Sequence, residues 1–185
     1  MASDPALERV LFTRDEIASR LRELAAEIHR DYAALPPPIL IGVLKGSVFF
    51  LTDLARELAM PLRLDFLSIS SFSAAPDSGR VRIEKDLDLD LRGEHALLVE
   101  DIVDTGFTLR YLLETLSARE PASLRVCTLL DKSSRRLIPV PVHYRGFEIP
   151  DRFVVGYGLD YRQLYRNLPD LGILRRRESE EGSIA

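Results

Sequence analysis

The stretch from Ala96 to Leu109, ALLVEDIVDTGFTL, constrains the fold of this chain more than any other. A compact apolar run, Ala96 to Val99, has the character of a strand buried on both faces of a parallel sheet. Glu100 and Asp101 stand directly at its C-terminal end, and a short loop with Asp104, Thr105 and Gly106 follows. Leu109, Leu112, Leu113 and Leu116 then recur at three- and four-residue spacing, which predicts a helix. The loop amides from Asp104 to Thr108, with the helix N-terminus behind them, suit an anion such as a phosphate. Gly106 permits close backbone approach, and the Thr105 and Thr108 hydroxyls add donors. Two adjacent carboxylates repel a phosphate but suit sugar hydroxyls, or a hard cation that carries a diphosphate.

At 185 residues, 46% hydrophobic and 29% charged, the chain is long enough for one well-filled core and short of two full domains. A net charge of −4 gives no overall attraction to nucleic acid or another polyanion. The single cysteine, Cys127, lies in the apolar stretch LRVCTLL, can form no internal disulfide and reads as a small core residue in a reducing compartment. The first ten residues carry early acids and no apolar core of a secretory signal, and no uncharged run approaches membrane-spanning length. A cytoplasmic address is expected.

Thr13 to Glu16 fits a capping box, with Phe12 and Ile17 placed for a hydrophobic staple, and Ile17, Leu21, Leu24 and Ile28 mark one face of the helix behind it. His29 is expected as a partner of the helix C-terminus rather than a metal ligand, and prolines 36 to 38 end the element. Ile39 to Leu44 reads as a buried strand, and Lys45-Gly46-Ser47 as the turn into a helix with Phe50, Leu54 and Leu58 on its apolar face. GVLKGS lacks the full spacing of a nucleoside-triphosphate phosphate loop. Leu62 to Ile69 and Arg80 to Glu84 read as strands joined by a Ser/Ala/Pro/Gly-rich loop, a long hairpin able to fold over a site. From Lys85 to Leu91 acids alternate with leucines, which describes a half-exposed extended segment with a solvated acidic face. Ser123 to Leu130 is a further buried strand, followed by Lys132, the pair Arg135 and Arg136, and an irregular stretch with His143 as a surface or partly packed residue.

VEDIVDTGFTL resembles the 5-phosphoribosyl 1-diphosphate (PRPP) binding motif of the type I phosphoribosyltransferases. The block from Phe147 to Tyr165, FEIPDRFVVGYGLDYRQLY, narrows the resemblance to the hypoxanthine-guanine branch, and it extends from Leu40 to Leu168. The resemblance implies an α/β fold: a central, largely parallel sheet flanked by helices, a small hood from the N-terminal segment and residues after about 132, and a flexible flap, all in one domain over residues 1–185. It implies Mg2+-dependent transfer of 5-phosphoribose to N9 of hypoxanthine or guanine, giving IMP or GMP and diphosphate, by a homodimer or homotetramer. Lys45, Gly46, Glu100, Asp101, Asp104, Thr105, Gly106, Phe107, Thr108 and Arg166 are then expected at PRPP, with Glu100, Asp101 and Asp160 toward metal. Lys132, Phe153, Val154 and Asp160 are expected at the purine, Asp104 as the catalytic acid–base group, and Ser71 and Phe72 on the flap. The family pattern also implies a cis peptide between Leu44 and Lys45. Phe72 departs from the tyrosine of many members, and Phe107 from a lysine of some.

Two rivals remain at this level. A regulator on the same fold, sensing PRPP and binding RNA or DNA, has only Arg135, Arg136 and the cluster Arg175 to Arg177 in its favour. A pyrimidine or adenine enzyme is disfavoured by Lys132 together with Phe153-Val154.

Overall fold

A computed structural model describes residues 7–71 and 81–175. In chain order the elements are β1 (Leu7–Phe12), α1 (Arg14–Tyr32), β2 (Ile39–Leu44), α2 (Val48–Glu57), β3 (Arg63–Ser71), β4 (Val81–Lys85), β5 (His95–Val103), α3 (Phe107–Ser117), β6 (Ser123–Asp131), β7 (Tyr144–Glu148), β8 (Val154–Val155) and β9 (Leu171–Leu174). A short 3-10 turn, Ser133–Arg135, follows β6. Six strands form the main sheet in the order β4-β3-β2-β5-β6-β7, parallel except for β4, which pairs antiparallel with β3 at the edge.

Every second residue of the central strands faces a different helix layer. Leu40, Leu97 and Val99 join the core with α1 and α2, whereas Ile39, Ile41, Ala96 and Leu98 join the core with α3. This is the physical content of the unbroken apolar runs, since a strand covered on both faces has no polar side to alternate with. α1 starts where expected: Thr13 accepts from the Glu16 N–H while the Glu16 carboxylate accepts from the Thr13 N–H, so two orphan donors are satisfied. Phe12 stacks on Phe147 at 3.9 Å, which fastens β1 to β7. Arg20 on α1 donates to the carbonyls of Arg145 and Gly146, a second tie to β7.

β1, β9 and β8 make a separate three-stranded antiparallel sheet built from the two ends of the described chain. Neither β1 nor β9 was legible as a strand in the sequence, and β7 begins inside what read as irregular chain; all three are short, of six, four and five residues. Residues 86–91 keep the expected alternation of exposed acids and more buried leucines but pair with no strand. They are held instead by buried Asp65, which accepts the N–H groups of Asp88 and Leu89 at 2.9 Å. The backbone of Ser71 ends β3 opposite Val81. Its side chain, Phe72 and the rest of the expected flap lie outside the described residues, as do Arg176 and Arg177. Among the described residues no helix is long and apolar enough to cross a membrane.

Candidate active site

The strand order turns back between β2 and β5: the chain proceeds outward to β3 on one side and to β6 and β7 on the other. Loops leaving the C-terminal ends of two such strands diverge and open a crevice, the usual ligand position in an open parallel sheet. A cavity of about 390 Å3 lies there, lined by Lys45 and Gly46 after β2, by Glu100, Asp101 and Asp104 to Gly106 from β5 and its loop, and by Thr108, Asp160 and Arg166. A second cavity of about 500 Å3 shares Asp101, Ile102, Asp104 and Asp160 with it and continues over Lys132, Asp151, Phe153 and Val154. The two blocks singled out in the sequence therefore meet, although 37 positions lie between them.

Local structure explains the phosphate-like end. Gly106 is the N-cap of α3 at φ 97°, a conformation strained for other residues, and a Cβ there would stand 2.7 Å from the Ile138 carbonyl. No side chain caps α3 and no acid occupies its first turn, so its first N–H groups remain available to an anion. Thr105 and Thr108 line the cavity; Phe107 does not, and is half-buried in the first helical turn where its contribution is the amide. The Leu44–Lys45 peptide is cis. Gly46 follows it with no room for a side chain, because a Cβ would stand 1.7 Å from the Asp101 carboxylate.

Glu100 and Asp101 are adjacent carboxylates at the cavity wall. Burial, then the neighbouring Asp101 charge, raises the Glu100 carboxyl well above its ordinary value. Burial likewise pushes Asp101 up to about 6, although backbone hydrogen bonds and the charge of Arg166 oppose it. Such a pair gains from a hard cation, and its oxygen donors suit Mg2+. Among the described residues no three His, Cys, Asp or Glu side chains could close around an ion by themselves. A cation here fits only as one completed by water or substrate oxygens, which is how Mg2+ is commonly held.

Asp160 and Arg166 are brought to the site but bound to each other at 2.6 Å, and Asp160 also accepts the Gln163 N–H. Gln163 takes hydrogen bonds from Lys45 and Arg166 through its Oε1, so it joins the two cationic groups expected at diphosphate. Sequence reading missed Gln163; its only signal was a position three residues after Asp160, where a carboxylate caps the turn.

At the other end, Lys132 leaves β6 with its N–H on the carbonyl of Val103, the last residue of β5, and this bond sets Lys132 beside Asp104. The ammonium is 7% exposed as a residue, 3.7 Å from Asp104 and 3.6 Å from Asp151. Phe153 is 46% exposed beside the same cavity, its ring edge-on to Tyr161 at 5.7 Å, while Val154 is buried in β8. An open aromatic face, a lysine and two carboxylates suit a flat heterocycle with a carbonyl group. Asp151 and Arg135 were not singled out for this site, since an acid after proline and an arginine in an irregular stretch carry no periodic signal.

The phosphoribosyl transferase domain family matches residues 11–162 of the chain. A hypoxanthine-guanine phosphoribosyltransferase of Mycobacterium avium is 50% identical over 174 residues, covering 91% of this chain and 86% of the relative. A hypoxanthine phosphoribosyltransferase of Haemophilus influenzae is 46% identical over 166 residues, covering 88% and 93%. Among solved structures, the Trypanosoma cruzi hypoxanthine phosphoribosyltransferase in complex with the product IMP superposes with a TM-score of 0.90 at 42% identity, covering 95% of this chain and 98% of that one.

Proposed function

The chain belongs to the phosphoribosyl transferase family, in its hypoxanthine-guanine branch, and from that premise we propose how its residues divide the work. The enzyme is a pentosyltransferase of purine salvage: it transfers 5-phosphoribose from PRPP to hypoxanthine or guanine, giving IMP or GMP and diphosphate. The observation that carries the assignment of roles is the pairing of Lys132 and Asp104 at the junction of the two cavities.

The 5-phosphate sits on the amides of Asp104 to Thr108 at the start of α3. Glu100 and Asp101 face the ribose hydroxyls and hold the cation we propose, Mg2+, with Asp160 as a further carboxylate on the purine side. That ion supplies charge neutralisation to the departing diphosphate when bound. Lys45, Gly46 and Arg166 hold the diphosphate itself. The base stacks on Phe153 beside the Val154 backbone, with Lys132 donating to its 6-oxo group. An amino group in that position would leave the ammonium without an acceptor, which disfavours adenine. Asp104 accepts the proton from N7 as N9 bonds to the ribose. Ser71 and Phe72 belong to a flap that keeps water from the oxocarbenium-like centre.

Arg135 and Arg136, two of the residues that favoured a nucleic-acid regulator, are taken up by Asp104, Asp151 and Asp131. Cytoplasmic residence suits the single buried thiol, Cys127, whose ionisation burial suppresses. A homodimer or homotetramer is proposed, and light scattering decides between them.

Nucleotide formation from PRPP with guanine, hypoxanthine and adenine in turn is the test. Guanine and hypoxanthine are expected to react and adenine to fail, and Asp104→Asn to lower turnover by roughly 10²- to 10⁴-fold with PRPP binding retained. Turnover unchanged in Asp104→Asn would remove that residue from proton transfer.

A further inference from the structure

Lys132 and Arg135 are three residues apart across the 3-10 turn, which closes with the Arg135 N–H on the Lys132 carbonyl at 2.9 Å. In a 3-10 turn positions i and i+3 eclipse, so both cations project the same way, toward the second cavity that both line. They meet two carboxylates there. Arg135 Nε lies 3.0 Å from Asp104 Oδ1, while Lys132 Nζ lies 3.7 Å from the other oxygen, Oδ2. Arg135 Nη1 also donates to Asp151, at 3.3 Å to Oδ1 and 3.4 Å to Oδ2, and Lys132 is 3.6 Å from Asp151 Oδ1. The four groups form a ring of two cations and two anions.

The two oxygens of Asp104 are not equivalent in this ring. Oδ1 is buried, accepts no hydrogen bond among the described residues, and meets the guanidinium as an ion-pair partner only. Oδ2 faces Lys132 beyond ordinary hydrogen-bond length, leaving its lone pairs open to another donor. The chain beyond the turn fixes the arrangement, because the N–H groups of Leu137 and Ile138 both donate to the Thr105 carbonyl, at 3.0 and 3.1 Å. The chain just after Arg135 is thus tied to the residue that follows Asp104.

We propose that Arg135 is a positioning residue for the transfer step: by holding Asp104 through Oδ1, and Asp151 with it, Arg135 keeps Oδ2 presented to the purine and releases Lys132 for the 6-oxo group. This inference rests on the roles given above to Asp104 and Lys132. In the step it serves, the N7 proton passes to Oδ2 and the electron pair it leaves stays on the purine ring. N9 bonds to C1′ of the ribose, and the C1′–O bond breaks with its pair leaving on diphosphate. When Lys132 turns to the base, two carboxylates would remain with no cation between them if Arg135 were neutral. They would then hold Lys132 back from the base.

The experiment uses the full chain with the substitutions Arg135→Met, Arg135→Lys, Asp104→Asn and the double variant Arg135→Met with Asp104→Asn. Each is assayed for kcat and for the KM of guanine and of PRPP, with thermal midpoints recorded alongside. Arg135→Met is expected to lower kcat by about 10- to 100-fold and to raise the KM of guanine, while the KM of PRPP stays within about twofold. Arg135→Lys should recover activity to within about threefold of the parent, because the cation is kept although the planar fork is lost. Since Arg135 acts through Asp104, adding Arg135→Met to Asp104→Asn should cost no more than about twofold in kcat. Fully additive losses in the double variant, or an Arg135→Met enzyme as fast as the parent, would overturn the proposal. An Asp104→Asn enzyme as fast as the parent would overturn the underlying role of Asp104 and the proposal with it, whereas a slow Asp104→Asn beside a fast Arg135→Met overturns the proposal alone.

Discussion

Lys132 is a nearly buried cation whose charge is balanced by Asp104 and Asp151 from different segments, so its ammonium is compensated before any base arrives. Desolvation pulls the Asp151 carboxyl upward, but hydrogen bonding from Arg135 and the charges of Arg135 and Lys132 more than offset it and leave it below its ordinary value. Replacing Lys132 by methionine removes the donor to a 6-oxo group and keeps most of the side-chain volume. The expected outcome is a loss of about 10-fold or more in kcat/KM for guanine and hypoxanthine, with any adenine activity unchanged or raised. Equal losses with all three bases would make the lysine structural. Gly46 belongs to the same scale, because a methyl group there collides with the Asp101 carboxylate. Gly46→Ala should lower kcat/KM for PRPP by about 100-fold, the scale of a misplacement of about 1 Å in a positioned group. The KM of the purine should move far less; a kcat/KM for PRPP equal to that of the parent would show that Asp101 does not face this substrate.

At the scale of elements, the three-stranded sheet and the main sheet meet along α1. Its N-terminus follows β1 directly, its Arg14 N–H donates to Asp170 before β9 at 2.8 Å, and its Arg20 donates to β7 carbonyls. The capping box at Thr13 thus secures the junction between two sheets as well as one helix end. Thr13→Ala should lower the unfolding free energy by about 0.5–2 kcal/mol, the usual cost of losing such a cap, read from urea denaturation. If the three-stranded sheet transmits that loss, the KM of guanine rises while the KM of PRPP holds, because β8 carries Val154 to the second cavity and no strand of that sheet lines the first. A stability loss with no change in either KM would confine the effect to α1.

For the whole molecule, the end of the sheet away from the site is held by polar groups whose charge depends on pH. Asp31 on α1 accepts the Tyr144 hydroxyl at 2.7 Å and pairs with Arg125 of β6, tying the helix to two strands. The Tyr144 hydrogen bond, followed by Arg125 and against a desolvation penalty, holds the Asp31 carboxyl below its ordinary value. A carboxylate lowered on folding contributes stability above its unfolded pKa and loses it as pH falls through the folded value, when both states are protonated. Asp31→Asn should therefore cost about 1 kcal/mol at pH 7, a modest figure because the pair is partly exposed to solvent screening. The difference between variant and parent should shrink as pH falls below the ordinary carboxylate range, read from denaturant midpoints at neutral and acid pH. A constant difference across that range would assign the effect to packing.

The amino-acid sequence by itself determined the inner layers of this protein. Unbroken apolar runs at Ile39 to Leu44 and Ala96 to Val99 demanded strands covered on both faces, and period-3.6 leucines demanded the helices to cover them. Glu100, Asp101 and the Asp104 to Thr108 loop were legible as a candidate site because strand, acids, glycine and helix are contiguous, and all but Phe107 line one cavity. Only the tertiary structure decided what lies across the crevice. β1 and β9 are short strands that pair with each other from opposite ends of the described chain, and β7 joins the preceding strand β6 across a stretch with no strand pattern, so no local pattern records either partner. Gln163 between Lys45 and Arg166, and Arg135 between Asp104 and Asp151, depend on the same long-range closure. A charged side chain carries the same letters in the sequence whether it meets water or a counter-charge, and the fold alone settles which.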